Sequence, residues 1–209
     1  MEIYMIRHGE TQWNKEKRFQ GRADIPLNEY GIHLAQVTAN ALKSIPFTQI
    51  YTSPLIRAKE TARILTGKRP VEIVEDERLL EMSFGDGEGA QIAGINTHSE
   101  SNLYNFIHHP EKYIPPAHGE SFEQLYTRCD SFIREIILPA QNCCDYMMIV
   151  AHGALIRGLI HCVNGRPTRD FWIKFHKNCC VTIVSCENGK LQLKEEAKIY
   201  YKEEVEATW

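Results

Sequence analysis

The run Tyr146–Ala151, YMMIVA, limits what this chain can fold into more than any other feature. It lacks the polar alternation of a half-exposed strand, so both of its faces need cover. In a folded soluble domain that cover comes from helices on either side of a largely parallel sheet. The rest of the chain supplies the parts. Further β-rich runs at Glu2–Ile6, Gln49–Tyr51, Val71–Val74 and Val181–Ser185 alternate with longer helical patterns. Helices are expected from about Gly31 to Leu42, Pro54 to Leu65, Phe122 to Ile137 and Ala154 to Val163. In the third, Phe122, Leu125, Cys129, Phe132, Ile133, Ile136 and Ile137 share one face, and Ser121 with Gln124 has capping-box spacing. The expected fold class is therefore α/β, a three-layer sandwich with the Tyr146 run near the sheet centre.

Composition narrows the functional classes. With 209 residues, 43% hydrophobic, the chain buries a sizeable core without staples. A net charge of −3 lacks the basic excess typical of nucleic-acid or anionic-membrane binding. Seven cysteines, two pairs of them adjacent and none in a C-x-x-C, argue against a disulfide framework. The start MEIYMIRHGE has no signal or transit character, and no apolar run approaches membrane-spanning length, so a cytoplasmic protein is expected. The sequence leaves the oligomeric state open.

Two histidines occupy matching settings. In EIYMIR-His8-Gly9 and YMMIVA-His152-Gly153, a His and a Gly directly follow an apolar strand. Strand carboxyl ends of a parallel sheet share one crevice, so neighbouring strands would bring both imidazoles to a common site. The glycine after each permits a tight turn and close backbone approach. Arg7 precedes His8, and Arg57 falls in the first turn of a helix signposted by Ser53 as cap and Pro54. A cation there opposes the helix dipole unless an anion lies nearby, and a phosphate is such an anion. A solvated Arg57 paired with Glu60 explains the same local spacing.

The blocks RHGETQWN (Arg7–Asn14), SPLIRAKETA (Ser53–Ala62), LLEMSFGDGEG (Leu79–Gly89), HGES (His118–Ser121) and VAHGALIR (Val150–Arg157) come in this order. Together they resemble the histidine phosphatase superfamily, and within it the phosphoglycerate-mutase-like phosphatases, which include broad-specificity phosphatases and α-ribazole phosphatase. The resemblance implies one histidine phosphatase domain over 1–209. It also implies a small-molecule phosphate ester as substrate, with neither metal nor other cofactor. His8 would attack phosphorus while Arg7, Arg57 and His152 bind its oxygens. Asn14, Gln20, Gly21 and Gly153 match positions near the phosphate. Glu81 would protonate the leaving group and then activate water; spacing alone does not separate it from Glu75, Asp76, Glu77, Asp86 and Glu88. Phosphoglycerate mutase activity, α-ribazole phosphatase as the specific hydrolase, and a binding module on a degenerate catalytic fold are the competing readings.

The stretch 85–120, Gly-rich, then aromatic and Pro-rich, reads as a lid or specificity insertion. Within it, Gly85-x-Gly87-x-x-Ala90 follows no apolar strand and reads as a turn-rich base, not a nucleotide cradle. The family block commonly has a bulky residue where this chain has Gly87, which would open the wall beside the acid. Tyr104, Phe106 and Tyr113 offer apolar contact to a leaving group; Lys112, His118 and Arg128 offer charge. His108 and His109 read as surface or lid residues, His33 and His176 as structural or solvated, and the cysteines as buried apolar groups. The end KEEVEATW reads as a charged tail.

Overall fold

Ile3 and Met5 leave strand β1 (Glu2–Arg7) on one face, Tyr4 and Ile6 on the other, and all four are buried. That period of two, apolar on both sides, is the local reason for a layer of helices above and below. The computed structural model describes residues 1–67, 71–95 and 101–202. Residues 203–209, most of the charged tail, and 96–100 of the 85–120 stretch lie outside the described residues.

Among the described residues six strands form one sheet: β1, β2 (Gln49–Thr52), β3 (Ile73–Glu75), β4 (Tyr146–Ala151), β5 (Val181–Glu187) and β6 (Lys190–Lys198), in the order β3-β2-β4-β1-β5-β6. Strand β4, the YMMIVA run, lies third of the six, between β2 and β1 and parallel to both. Ile3, Met5, Met147 and Ile149 pack toward α6 (Phe122–Phe132) and α8 (Gly153–Asn164). Tyr4, Ile6, Met148 and Val150 pack toward α3 (Ile56–Thr66) and the end of α2 (Glu29–Ala41). The expected three-layer arrangement is the one found.

The parallel character ends at β5, which runs antiparallel to β1 and turns into β6. Sequence reading left β6 out, because KLQLKEEAK carries few apolar residues and little signal for a buried strand. The hairpin is nonetheless written in Asn188 and Gly189, both at positive φ (50° and 73°), the two-residue turn that matches strand twist.

The 122–140 helix also departs from a regular pattern. Helix α6 opens with the Ser121–Gln124 capping box, then passes through a π-helical turn at Ile133–Ile137 into α7 (Leu138–Ala140). Pro139 accounts for the irregular turn, since it has no N–H and its ring crowds the carbonyl four residues back. The 85–120 stretch is less irregular than its composition suggests. It holds α4 (Ile92–Ile95), α5 (Asn102–His108) and a 3-10 turn at Pro110–Lys112, with Leu103, Phe106 and Tyr113 buried. Among the described residues, no helix is long and apolar enough to cross a membrane.

The short helix α1 (Gln12–Lys15) and helix α2 frame the loop that follows β1. Gly9 serves this packing more than any ligand: a Cβ on Gly9 would come within 2.5 Å of Gly31 O, and one on Gly31 would overlap the Glu10 backbone. Gly31→Ala is therefore expected to cost about 2 kcal/mol of stability through overpacking, measured by urea unfolding. A variant as stable as the parent contradicts this reading of the contact.

Candidate active site

The register of β1 on β4 runs from Glu2↔Tyr146 to Arg7↔Ala151, so His8 and His152 are the next residues on adjacent parallel strands. Their ring centroids are 5.1 Å apart at 60°, and both residues are buried. His8 Nδ1 lies 2.6 Å from the Gly9 carbonyl, which can only accept. Nδ1 therefore carries the proton, and the Nε2 lone pair is left for a ligand. Burial, then the charges of Arg57 and Arg7, hold the His8 pKa well below the usual histidine range.

His152 is held from both sides. Arg57 Nε donates to its Nδ1 at 3.2 Å, and its Nε2 lies 2.8 Å from Ser53 Oγ. Because a guanidinium only donates, Nδ1 is the acceptor and Nε2–H points to Ser53. Burial, followed by Arg57 and His8, lowers this pKa as well. The two imidazoles are thus neutral and of opposite tautomer.

Ser53 is not the cap of α3. Leu55 occupies that position without a side-chain bond, and Asp24 Oδ1 accepts from Ile56 N at 2.6 Å instead. The anion that a cation in the first turn calls for is thus partly supplied by the protein. Arg57 is fully buried, and its Nη1 and Nη2 donate to Ala23 O (2.8 Å) and Gly21 O (2.6 Å). With the Gln20 NH₂ directed at Thr11 Oγ1, the Gln20 amide oxygen accepts from Arg57 Nη1 and Nε at 3.1 Å. Pairing with Glu60 does not occur, since Glu60 accepts from Leu27 N. Burial pulls the Arg57 pKa down to about 10, so it remains charged near neutrality. Arg7 is fixed by a backbone carbonyl as well, its Nη1 donating to His176 O.

Glu81 sits buried at the N-terminus of α8. Oε1 accepts from Met82 N (2.9 Å) and Leu155 N (3.0 Å), Oε2 from Ala154 N (3.1 Å). The carboxylate thus caps a helix whose own cap residue, His152, supplies no side-chain bond. Oε2, with one amide donor, keeps more acceptor capacity toward a ligand. Arg128 steadies the segment carrying it, donating to Arg78 O and Leu80 O while forking onto Glu120 at 2.6 and 3.0 Å.

A cavity of about 500 Å³, its open mouth included, adjoins this cluster. Arg7, His8, Asn14, Gln20, Glu81 and Gly153 line it. Asn14 Oδ1 is engaged by Thr11 N and Asn178 Nδ2, both at 3.2 Å. Arg57, His152 and Gly21 stand behind the wall: Gly21 supports Arg57 through its carbonyl, and Gln20 does so from the wall itself. A Cβ at Gly153 would touch the Arg157 and Arg7 guanidiniums at 3.4 and 3.6 Å, which is the close approach this glycine serves.

Sequence reading missed the rest of the lining, chiefly Arg18, Phe19, Phe84, Ile92, Arg157 and Trp172; Phe84 and Arg157 fall inside the matched blocks without being singled out, and the others fall outside them. Of the proposed leaving-group contacts, Phe106 reaches the cavity wall; Tyr113 packs into the aromatic cluster beside Phe106 and Phe122. Arg128 is bound to Glu120, and His118 is exposed beside Asp86. Gly87 opens no wall: the Leu103 side chain fills its place, 2.8 Å from where a Cβ would stand. His176 is buried in a loop and pairs with Glu196 at 3.1 Å. Burial raises the thiol pKa of Cys129, Cys162, Cys179 and Cys180, as expected of inert groups, whereas Cys143, read with the others as buried, is exposed. Among the described residues, no group of three or more His, Cys, Asp or Glu is placed to hold a metal ion.

His8, His152 and His176 all have lowered pKa values in the native protein, so protonation favours the unfolded chain. Their stabilising contribution is complete above the unfolded value near 6.5 and is lost as pH falls below it, by about 1.4 kcal/mol per unit for each histidine. Nitrogen-15 spectra at pH 5.5 should accordingly show His8 as the neutral Nδ1–H tautomer and His152 as the neutral Nε2–H tautomer. A protonation midpoint near 6.5 for either would contradict this.

The family profile of the histidine phosphatase superfamily (branch 1) matches residues 3–198. A curated relative, the probable phosphoglycerate mutase GpmB of Proteus mirabilis, is 32% identical over 190 residues, covering 90% of this chain and 86% of its own. Among solved structures, YhfR of Bacillus stearothermophilus superposes with a TM-score of 0.85 at 32% identity, covering 95% of this chain and 97% of its own. The α-ribazole phosphatase of Shigella flexneri superposes at 0.83 with 27% identity, covering 95% and 96%. With the profile spanning nearly the whole chain and the paired histidines at its centre, the protein belongs to the histidine phosphatase superfamily.

Proposed function

We propose that this protein is a metal-independent phosphomonoester hydrolase that works through a phosphorylated His8 on a small soluble ester. The observation that carries the reading is the neutral His8 ring, its Nδ1–H fixed on Gly9 O, at the wall of a cavity shared with Arg7 and Glu81. In the first step the Nε2 lone pair forms a bond to phosphorus as the ester P–O bond breaks. The positive charge that develops on the ring faces the Gly9 carbonyl. The proton of a protonated Glu81 passes to the departing alkoxide. In the second step water attacks phosphorus, Glu81 takes the water's proton, and the N–P bond breaks, returning neutral His8 and free phosphate.

Arg7 and Arg57 supply positive charge around the transferring group, the role a metal ion fills in other phosphoryl-transfer sites. His152 orients Arg57 through Nδ1 and reaches the phosphoryl oxygens on reorientation of its ring. Asn14, Gln20 and Gly153 complete the phosphate pocket, with Gly21 supporting Arg57. The 85–120 stretch acts as the lid and specificity element; Ile92 and Phe106 supply its cavity surface, next to Phe84 just before it. Seven free cysteines support a reducing, cytoplasmic setting.

Phosphate release should persist in excess chelator and fall on the order of 10³-fold or more in His8→Ala. A turnover that needs added metal overturns metal independence, and full activity of the variant overturns the phosphohistidine route. Mutase activity uses the same residues with a long-lived phosphoenzyme. With a phosphoglycerate substrate, release of inorganic phosphate is expected to outpace isomerisation; the reverse would make the protein a mutase.

A further inference from the structure

Arg57 takes its place from one short loop. Its Nη1 and Nη2 donate to Ala23 O and Gly21 O, and helix α3, which carries it, starts on the Asp24 carboxylate through Ile56 N. Loop 20–24 is held in turn by Glu88, near the start of the 85–120 stretch. The two carboxylate oxygens accept from consecutive amides, Oε1 from Arg22 N at 2.6 Å and Oε2 from Ala23 N at 2.7 Å. Both bonds are short, as charge-assisted hydrogen bonds are.

The Gly21 carbonyl and the Arg22 N–H belong to the same peptide group. That group stands between a carboxylate and a guanidinium, its N–H toward Glu88 and its C=O toward Arg57. Hydrogen bonds chained in this way polarise and strengthen one another. Glycine is what permits the approach: a Cβ on Gly21 would come within 2.6 Å of Glu88 Oε1 and 2.5 Å of Met82 O. The negative charge of Glu88 also reaches Arg57, where it works against the effect of burial.

Backbone bonds fasten the same two segments beside the carboxylate. Gly89 N donates to Phe19 O and Phe19 N to Ala90 O, both at 2.9 Å, Ile92 N donates to Lys17 O at 3.0 Å, and Arg18 and Gln91 form an antiparallel bridge. These bonds keep the segments together without Glu88. Its particular contribution is the orientation of the Gly21–Arg22 peptide.

We infer that Glu88 is a positioning residue for the phosphoryl site, which holds Arg57 in place through the Gly21–Arg22 peptide and so ties that guanidinium to the 85–120 stretch. The inference deepens the hydrolase reading, and its kinetic consequence rests on that reading.

The test compares Glu88→Ala with Glu88→Gln, whose amide oxygen still accepts from Arg22 N. In Glu88→Ala, kcat/KM for 4-nitrophenyl phosphate should fall about tenfold or more, and the inhibition constant of orthovanadate, a mimic of the transferring phosphoryl group, should rise by a similar factor. Glu88→Gln should recover most of both. In an Arg57→Ala background, Glu88→Ala should change kcat/KM less than about twofold, because the group it positions is gone. A merely structural clamp would lower both backgrounds alike. Nitrogen-15 spectra read the placement without turnover: the Arg57 Nε–H signal should move in Glu88→Ala and return toward its parent position in Glu88→Gln. Should Glu88→Ala fail to fold, Glu88→Asp, one methylene short of the amides, takes its place with the same expectations. Equal losses in the two backgrounds, or an Arg57 signal that does not move, overturns the assignment and leaves the hydrolase reading intact. Phosphate release from no phosphomonoester by the parent defeats the hydrolase reading instead. The Arg57 signal and the calorimetric affinity for orthovanadate then decide the role of Glu88, and values unchanged in the variant overturn it.

Discussion

The pairing of β1 with β4 is the contact on which the site depends. Six residue pairs in parallel register, ending at Arg7↔Ala151, leave His8 and His152 side by side with nothing further to arrange. A slip of one residue would turn each imidazole to the opposite face of the sheet, and the buried apolar residues on both strands hold the register against such a slip. The stability of the central sheet and the geometry of the candidate nucleophile therefore have the same cause.

The charged groups around that pair are held in an unusual manner. Arg7, Arg57 and Arg157 donate to backbone carbonyls of His176, Gly21, Ala23, Gly153 and Lys174. A carbonyl orients a guanidinium without cancelling its charge. The result is a buried cluster of cations whose field stays available to an arriving dianion and is strengthened by low local polarisability. The same field, together with burial, keeps both imidazoles neutral, which a nucleophilic nitrogen requires. Among the described residues Glu81 is the one carboxylate of the cavity wall, and it is tied to the first amides of α8 and so remains at a fixed place there.

Much of this is legible in the chain because it is local. The run YMMIVA and the alternation of strand with helix determine the three layers, and the two His-Gly pairs at strand ends already place the centre of the site. What the sequence hides is long-range or polar. Strand β6 is written in polar residues, and only the Asn188–Gly189 turn announces it. Ser53 looks like a helix cap, yet it meets His152 across 99 positions, while Asp24 from another loop meets the helix start. Gly87 suggests an opening that Leu103, sixteen residues on, fills. Arg157 belongs to a readable block, but its neighbours Trp172 and Lys174 come from a loop whose position only the folded chain reveals.

The central claim is that the phosphoryl group passes through a bond to His8, and the stereochemical course at phosphorus tests it most directly. Hydrolysis of an isotopically labelled phosphorothioate ester with a stereogenic phosphorus involves two in-line displacements if His8 intervenes, and so should proceed with overall retention. Inversion would mean that water displaces the alcohol in one step, and the account of His8 as nucleophile would be wrong.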